Sequence, residues 1–265
     1  MSVLLPLILV LLVLWIIGNI FTYLLQDYFI LRPKRLPATY AYSFTGDFEE
    51  IFLSTADEGK LNALWFKIPN PKGVILFFHG NADNLARWGH LHHYFAQYGY
   101  DFFVYDYRGY GKSTGPRTEK TLYQDAMAVY QYLVHRYQAD QIVLFGRSLG
   151  CAFATKIASE KLSKRVILET PFYSMPNLFY TYYPFFPRVF WFKYVLSNCK
   201  HIKKIDQPIC ILQGTKDFVV PFRCAQRLQR CLKAEDQFVT IPGGGHNNLL
   251  FYDIYNRKMQ ALLKQ

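Results

Sequence analysis

The sequence predicts an α/β domain, a mostly parallel sheet with helices on both faces, carried on one N-terminal helix long enough to cross a membrane. Three observations support this. Short β-branched or aromatic runs alternate with helix-patterned stretches through most of the chain, as βαβ units require. The apolar run 142–145 drives into Gly146-Arg147-Ser148-Leu149-Gly150 and then at once into helix-forming residues. Residues 3–25 contain no charged side chain and are dominated by Leu, Ile and Val.

At helical rise, that N-terminal stretch would span about 34 Å, enough to cross a hydrocarbon core. A cleaved signal peptide would carry basic residues before a shorter apolar run and then a small-residue cleavage site; this segment has none of these. Residues 1–26 are expected as a retained transmembrane anchor, 27–40 as a Pro-punctuated linker and 41–265 as the folded domain. Arg32, Lys34 and Arg35 lie just past the span. The positive-inside rule therefore expects a single-pass membrane protein with its domain on the cytoplasmic side.

Within the domain, "EEIFLST" and "KLNALWFKI" alternate apolar and polar residues and predict an antiparallel pair. "GVILFFHG" reads as a strand buried on both faces. Residues 84–97 follow a helical pattern that stops at Gly99. Next come "DFFVYDYRG" as strand, 118–137 as helix, "QIVLFG" as strand, 149–160 as helix and "RVILET" as strand. After an aromatic-rich stretch, "PICILQG" predicts a strand, 222–232 a helix, "QFVTIPG" a strand, and a closing helix starts at Leu249. Right-handed crossovers leave the strand C-terminal ends on one edge, where ligands bind.

Composition narrows the function classes. A net charge of +11 would suit nucleic acid or an anionic membrane surface. The Lys and Arg residues are dispersed and no nucleic-acid-binding motif accompanies them, so nucleic acid is not an expected partner. Cys151, Cys199, Cys210, Cys224 and Cys231 are odd in number and lack CxxC spacing. They predict neither a disulfide framework nor a zinc site, but buried thiols in a reducing compartment. "GYGKST" at 109–114 imitates a phosphate loop, yet a Walker A would need glycine where Asp106 stands, and Thr114 occupies the third glycine of GxGxxG. His90, His92 and His93 lack an HExxH or cysteine partner and read as surface residues of an amphipathic helix. Neither a cofactor nor a metal is expected.

Ser148 follows a strand end, on the edge where ligands bind. A serine fenced by Gly146 and Gly150 fits a strained strand-to-helix nucleophile elbow, although a plain serine N-cap gives a similar pattern. The partners decide between them, because a hydroxyl needs a histidine to take its proton and a carboxylate to orient that histidine. Past "PICILQG", Asp217 falls three residues after Gly214; past "QFVTIP", His246 follows three glycines that let the chain turn over the edge. Plainer roles are a turn or cap for Asp217 and a helix cap for His246. Glu169, at the end of "RVILET", is the alternative acid. Asn81, in "FFHGNADN", and Leu149 are placed to offer backbone N–H groups to an oxyanion, and His79 is read as structural.

"HGNADN", "DYRGYGKSTG", "GRSLGCA", "ETPF", "GTKDFVVP" and "GGGHNN", in that order, resemble the motif series of the α/β-hydrolase superfamily. They look most like its membrane-anchored subgroup of bud-emergence homologues and acyl-protein depalmitoylases, over roughly residues 42–263. The resemblance implies an α/β-hydrolase fold, a Ser148–Asp217–His246 triad, and oxyanion donors at Asn81 and Leu149. Cys151 departs from the glycine or alanine of many relatives.

Between "LETPF" and "PICILQG", eleven aromatic residues crowd positions 173–196, punctuated by Pro176, Pro184 and Pro187. In this fold the insertion is expected as a short cap, about 173–200, over the active edge. Its aromatics favour an apolar acyl pocket or a membrane-facing rim. The expected function is a membrane-tethered serine hydrolase (esterase or thioesterase) acting on acyl esters or thioesters of lipids or lipidated proteins. A serine aminopeptidase and a non-catalytic hydrolase-fold scaffold are the alternatives.

Overall fold

The computed structural model describes residues 4–264. Helix α1 (Leu4–Ile30) is the one helix among the described residues long and apolar enough to cross a membrane, a candidate transmembrane helix. It runs four residues past the expected anchor, and the segment after it is no free linker. Strand β1 (Arg32–Pro33) pairs in parallel with β5 (Ala82–Asp83), Leu31 is fully buried, and the Gly111 amide donates to the Lys34 carbonyl.

The domain is built on a sheet of eight strands. Strands β2 (Phe48–Ser54), β3 (Lys60–Phe66) and β4 (Val74–Phe78) precede β5, and β6 (Asp101–Tyr105) follows the short helices α2 (Leu85–Trp88) and α3 (His92–Ala96). Helix α4 (Glu119–Val134) leads to β7 (Ile142–Arg147), and α5 (Gly150–Ala158) to β8 (Arg165–Glu169). Then come α6 (Met175–Tyr182), α7 (Asn198–Ile202), β9 (Ile209–Gly214), α8 (Phe222–Gln226), β10 (Gln237–Ile241) and α9 (Asp253–Leu263). The strand order is β10-β9-β8-β7-β4-β6-β3-β2, antiparallel only where β3 meets β2 and β6. This is the expected mostly parallel sheet.

Alternation along the strands divides the core. Val74, Leu76 and Phe78 of β4 face one cluster with Leu144 and Phe153, whereas Ile75 and Phe77 face the other with Phe95, Phe102 and Phe145. Both sheet faces are covered, which is why these strands read as unbroken apolar runs. Helix starts follow local chemistry: the Thr118 hydroxyl accepts from the Thr121 amide at α4, and the Ser174 hydroxyl accepts from the Asn177 amide at α6.

Three expectations are corrected. The helix expected over 84–97 forms as two short α-helices joined by a 3-10 turn at 89–91, and at Gly89 a Cβ would lie 2.5 Å from the Phe44 ring. His92 is buried rather than a surface residue: its ring stacks on Phe66 at 4.1 Å and bonds to the Gly89 and Thr45 carbonyls. Cys199 and Cys231 form a disulfide, because α7 packs against the turn after α8, while Cys151, Cys210 and Cys224 are buried thiols. Their separation of 32 residues gives a closed loop that stabilises the fold by about 3–4 kcal/mol in the chain-entropy picture.

Candidate active site

The turn from β7 to α5 lifts Ser148 out of the sheet. Its φ is +52°, a left-handed conformation that a serine adopts only when its surroundings impose it. The backbone fixes it: the Ser148 amide donates to the Glu169 carbonyl at 2.8 Å. The flanking glycines are required by space. A Cβ on Gly146 would sit 2.6 Å from Cys151 Cα, and one on Gly150 would sit 1.9 Å from the Phe78 carbonyl oxygen. Gly150→Ala must therefore push α5 off β4. The expected outcome is a loss of about 1–3 kcal/mol in denaturant unfolding, with hydrolysis falling more than stability because the elbow itself moves.

The loop after β9 carries Asp217 and the loop after β10 carries His246. Their close approach rests on Gly214, where a Cβ would meet the Gly244 carbonyl oxygen at 2.2 Å. The Lys216 amide donates to the Gly244 carbonyl at 2.8 Å and ties the loops together. His246 Nδ1 lies 2.9 Å from Asp217 Oδ2. Asp217 is buried, and its Oδ1 accepts from the Val219 and Val220 amides at 2.9 and 2.7 Å. Gln213 Nε2 donates to Oδ2 at 3.1 Å. A carboxylate so held points one oxygen at the imidazole and keeps its proton on Nδ1, which leaves Nε2 as the basic nitrogen. No hydrogen bond joins Ser148 Oγ to His246 among the described residues.

Glu169 does not reach His246. Its Oε1 pairs with Arg147 Nε at 3.1 Å, and its Oε2 accepts from the Tyr255 hydroxyl at 2.6 Å. Burial, and then the charge of Glu169, push the Tyr255 hydroxyl well above its ordinary value, so it stays a donor. Arg147 in turn donates to the His246 carbonyl and to Asn247 Oδ1 at 3.2 and 3.1 Å. Arg147, absent from the expected site, is thus a positioning residue for the histidine loop. Its only sequence signal was its place beside Ser148.

Asn81 lies two residues beyond His79 at the end of β4. Neither the Asn81 nor the Leu149 backbone N–H has an acceptor among the described residues, and both residues border the same cavity as Ser148. Two such amides beside a serine hydroxyl are arranged as an oxyanion would need them. His79 is buried, stacked on Tyr107 at 4.1 Å, and its Nε2 is 3.4 Å from Asp106 Oδ1, in keeping with a structural role.

The cavity over Ser148 measures about 520 Å³, within the range of small-molecule sites. The cap supplies Phe179, Tyr182, Phe186, Phe190 and Phe192, and Met175 and Leu178 of α6 complete its aliphatic side. Phe179 stacks on Phe190 with centroids 5.1 Å apart. The remaining wall comes from a place the sequence did not suggest: Thr22, Gln26, Phe29 and Ile30 of α1.

A strained serine at a strand end, with an Asp–His pair in the loops after β9 and β10 of an eight-stranded, mostly parallel sheet, is the arrangement of an α/β hydrolase. The chain belongs to the α/β-hydrolase superfamily, in the group of the alpha/beta hydrolase domain-containing 17 proteins. The family described as "Serine aminopeptidase, S33" matches residues 69–199. Alpha/beta hydrolase domain-containing protein 17B of Homo sapiens is 31% identical over 225 residues, covering 82% of this chain and 75% of that protein. Its Xenopus tropicalis counterpart is 30% identical over the same length. The fold is shared with an esterase of Pyrococcus furiosus (TM-score 0.69, 17% identity, covering 89% of this chain and 97% of that one). It is also shared with acetyl xylan esterase 1 of Thermoanaerobacterium (TM-score 0.66, 17% identity, 86% of each chain).

Proposed function

We propose that this hydrolase is a membrane-tethered serine esterase or thioesterase for acyl or lipid-like substrates. The observation that carries the reading is the Asp217–His246 hydrogen bond, on the same sheet edge as the strained Ser148, which borders an apolar cavity. In this mechanism Ser148 Oγ attacks the acyl carbonyl as His246 Nε2 takes its proton. The Asn81 and Leu149 amides hold the oxyanion. The leaving alkoxide or thiolate takes the proton back from His246, and water, deprotonated the same way, releases the acid from the acyl-enzyme.

A peptidase reading is favoured by the description of the matched family. An aminopeptidase needs a carboxylate to hold the substrate ammonium, and no Asp or Glu among the described residues borders the cavity. The side chains there suit hydrocarbon. Each methylene buried stabilises the bound state by about 0.8 kcal/mol, or severalfold in kcat/KM. Efficiency should therefore climb from two-carbon esters to medium or long acyl chains, and aminoacyl amides should be cleaved more slowly than any of them. A preference for acetyl esters, or faster amide cleavage, contradicts the acyl reading.

Membrane attachment is proposed through α1. Arg32, Lys34 and Arg35 beyond it favour a cytoplasmic domain. The Cys199–Cys231 bridge withdraws the support that unpaired cysteines lent to that side and is itself typical of an oxidising compartment. Protease added to the cytoplasmic face of sealed membranes decides between them: digestion of the domain supports the first, protection the second.

A further inference from the structure

We infer that α1 is a wall of the acyl pocket as well as an anchor, with Thr22 and Gln26 helping to set which acyl chain fits; this rests on the acyl-hydrolase reading above. Trp15, Asn19, Thr22 and Gln26 are spaced four, three and four residues apart, so they share one helix face. Asn19 and Gln26 are the two buried residues of an otherwise lipid-like helix. Polar side chains in such a segment face a protein partner, and here that partner is the cap. Asn19 Oδ1 accepts from the Trp191 amide at 3.1 Å. Gln26 Nε2 donates to the Trp191 carbonyl at 2.6 Å, and its Oε1 accepts from the Lys193 amide at 2.8 Å. Asp27 accepts from Lys193 Nζ and from the Tyr194 hydroxyl, each at 2.5 Å.

A second attachment joins the helix to the proposed oxyanion loop. Asn81 Nδ2 donates to the Ile30 carbonyl at 3.1 Å, and the Arg32 amide donates to the Asn81 carbonyl at 3.0 Å. The helix therefore touches both the roof of the cavity and the loop that would hold the oxyanion. A tether alone needs neither contact.

The occupant follows from depth. The Trp15 and Trp191 rings meet edge to face at 5.8 Å, and Trp15 lies about 22 Å along the axis from Ile30 at 1.5 Å per residue. If α1 crosses the bilayer, this cap segment reaches well into the hydrocarbon. That accounts for Phe185, 99% exposed, together with exposed Val189 and Trp191 beside it. A cavity walled by such a helix and cap takes an acyl chain that stays in an apolar medium from bilayer to catalytic serine.

The test uses the full-length protein in phosphatidylcholine nanodiscs, labelled by fluorophosphonates bearing an ethyl or a hexadecyl arm. Thr22→Trp places bulk in the cavity wall, and Leu24→Trp places the same bulk on the lipid-facing side, where Leu24 is 68% exposed. The ratio of hexadecyl to ethyl labelling rates is expected to fall at least tenfold in Thr22→Trp and severalfold in the smaller Thr22→Phe, and to hold in Leu24→Trp. Because the ethyl probe reports the folded site, the ratio is insensitive to partial misfolding. An unchanged ratio in both Thr22 variants overturns the inference while leaving the hydrolase reading standing. A wild type that neither probe labels defeats that reading, and this inference with it.

Discussion

Replacing Ser148 by alanine is expected to lower ester hydrolysis by about 10³-fold or more, with the fold intact. The methyl group that remains still fits the elbow, whose φ of +52° is held by the backbone bond to the Glu169 carbonyl and not by the hydroxyl. Loss of the proposed nucleophile removes the acyl-enzyme route, and the proposed oxyanion amides of Asn81 and Leu149, with the apolar cavity, retain only residual catalysis. Circular dichroism and denaturant unfolding beside kcat/KM for a medium-chain ester check both halves. Activity within tenfold of wild type would mean that the chemistry lies elsewhere.

The second large effect separates two acids. Asp217→Asn should cost roughly 10³- to 10⁴-fold in kcat, because an amide can present its NH₂ to Nδ1 and fix the wrong tautomer of His246. Glu169→Gln should cost far less per folded molecule, because its oxygens serve Arg147 and Tyr255. It should instead lower stability by about 1–3 kcal/mol, by leaving the Arg147 guanidinium buried with a weaker partner. Measured together, kcat and unfolding free energy must move in opposite proportion for the two variants. The reverse ranking in kcat would return the acid role to Glu169.

What was legible in the sequence was whatever local chemistry decides. The strands around β4 and β7 are buried on both faces and so appear as unbroken apolar runs, and the candidate residues Ser148, Asp217 and His246 stand at glycine-marked strand ends. What was not legible depended on distant partners. The Phe44 ring arrives from an earlier segment onto Gly89, where the helix over 84–97 narrows to a 3-10 turn, and His92 is buried by Phe66 in the same way. The Cys199–Cys231 bond needed α7 and the turn after α8 to meet, which no spacing announces. Arg147 looked like one more dispersed cation until its two acceptors in the histidine loop were in place. Asn19, Thr22 and Gln26 did leave a mark, a polar stripe in an apolar helix. Overall hydrophobicity obscured it, because a spanning segment is recognised by its average and a docking face by its exceptions.

The central claim is that Ser148 is a nucleophile activated by His246, which Asp217 orients. Labelling the full-length protein with a fluorophosphonate and mapping the adduct by peptide mass spectrometry tests it directly. One phosphonylated residue is expected, Ser148, with labelling abolished in Ser148→Ala and slowed by orders of magnitude in Asp217→Asn. An adduct on another serine, or undiminished labelling of the alanine variant, would contradict it.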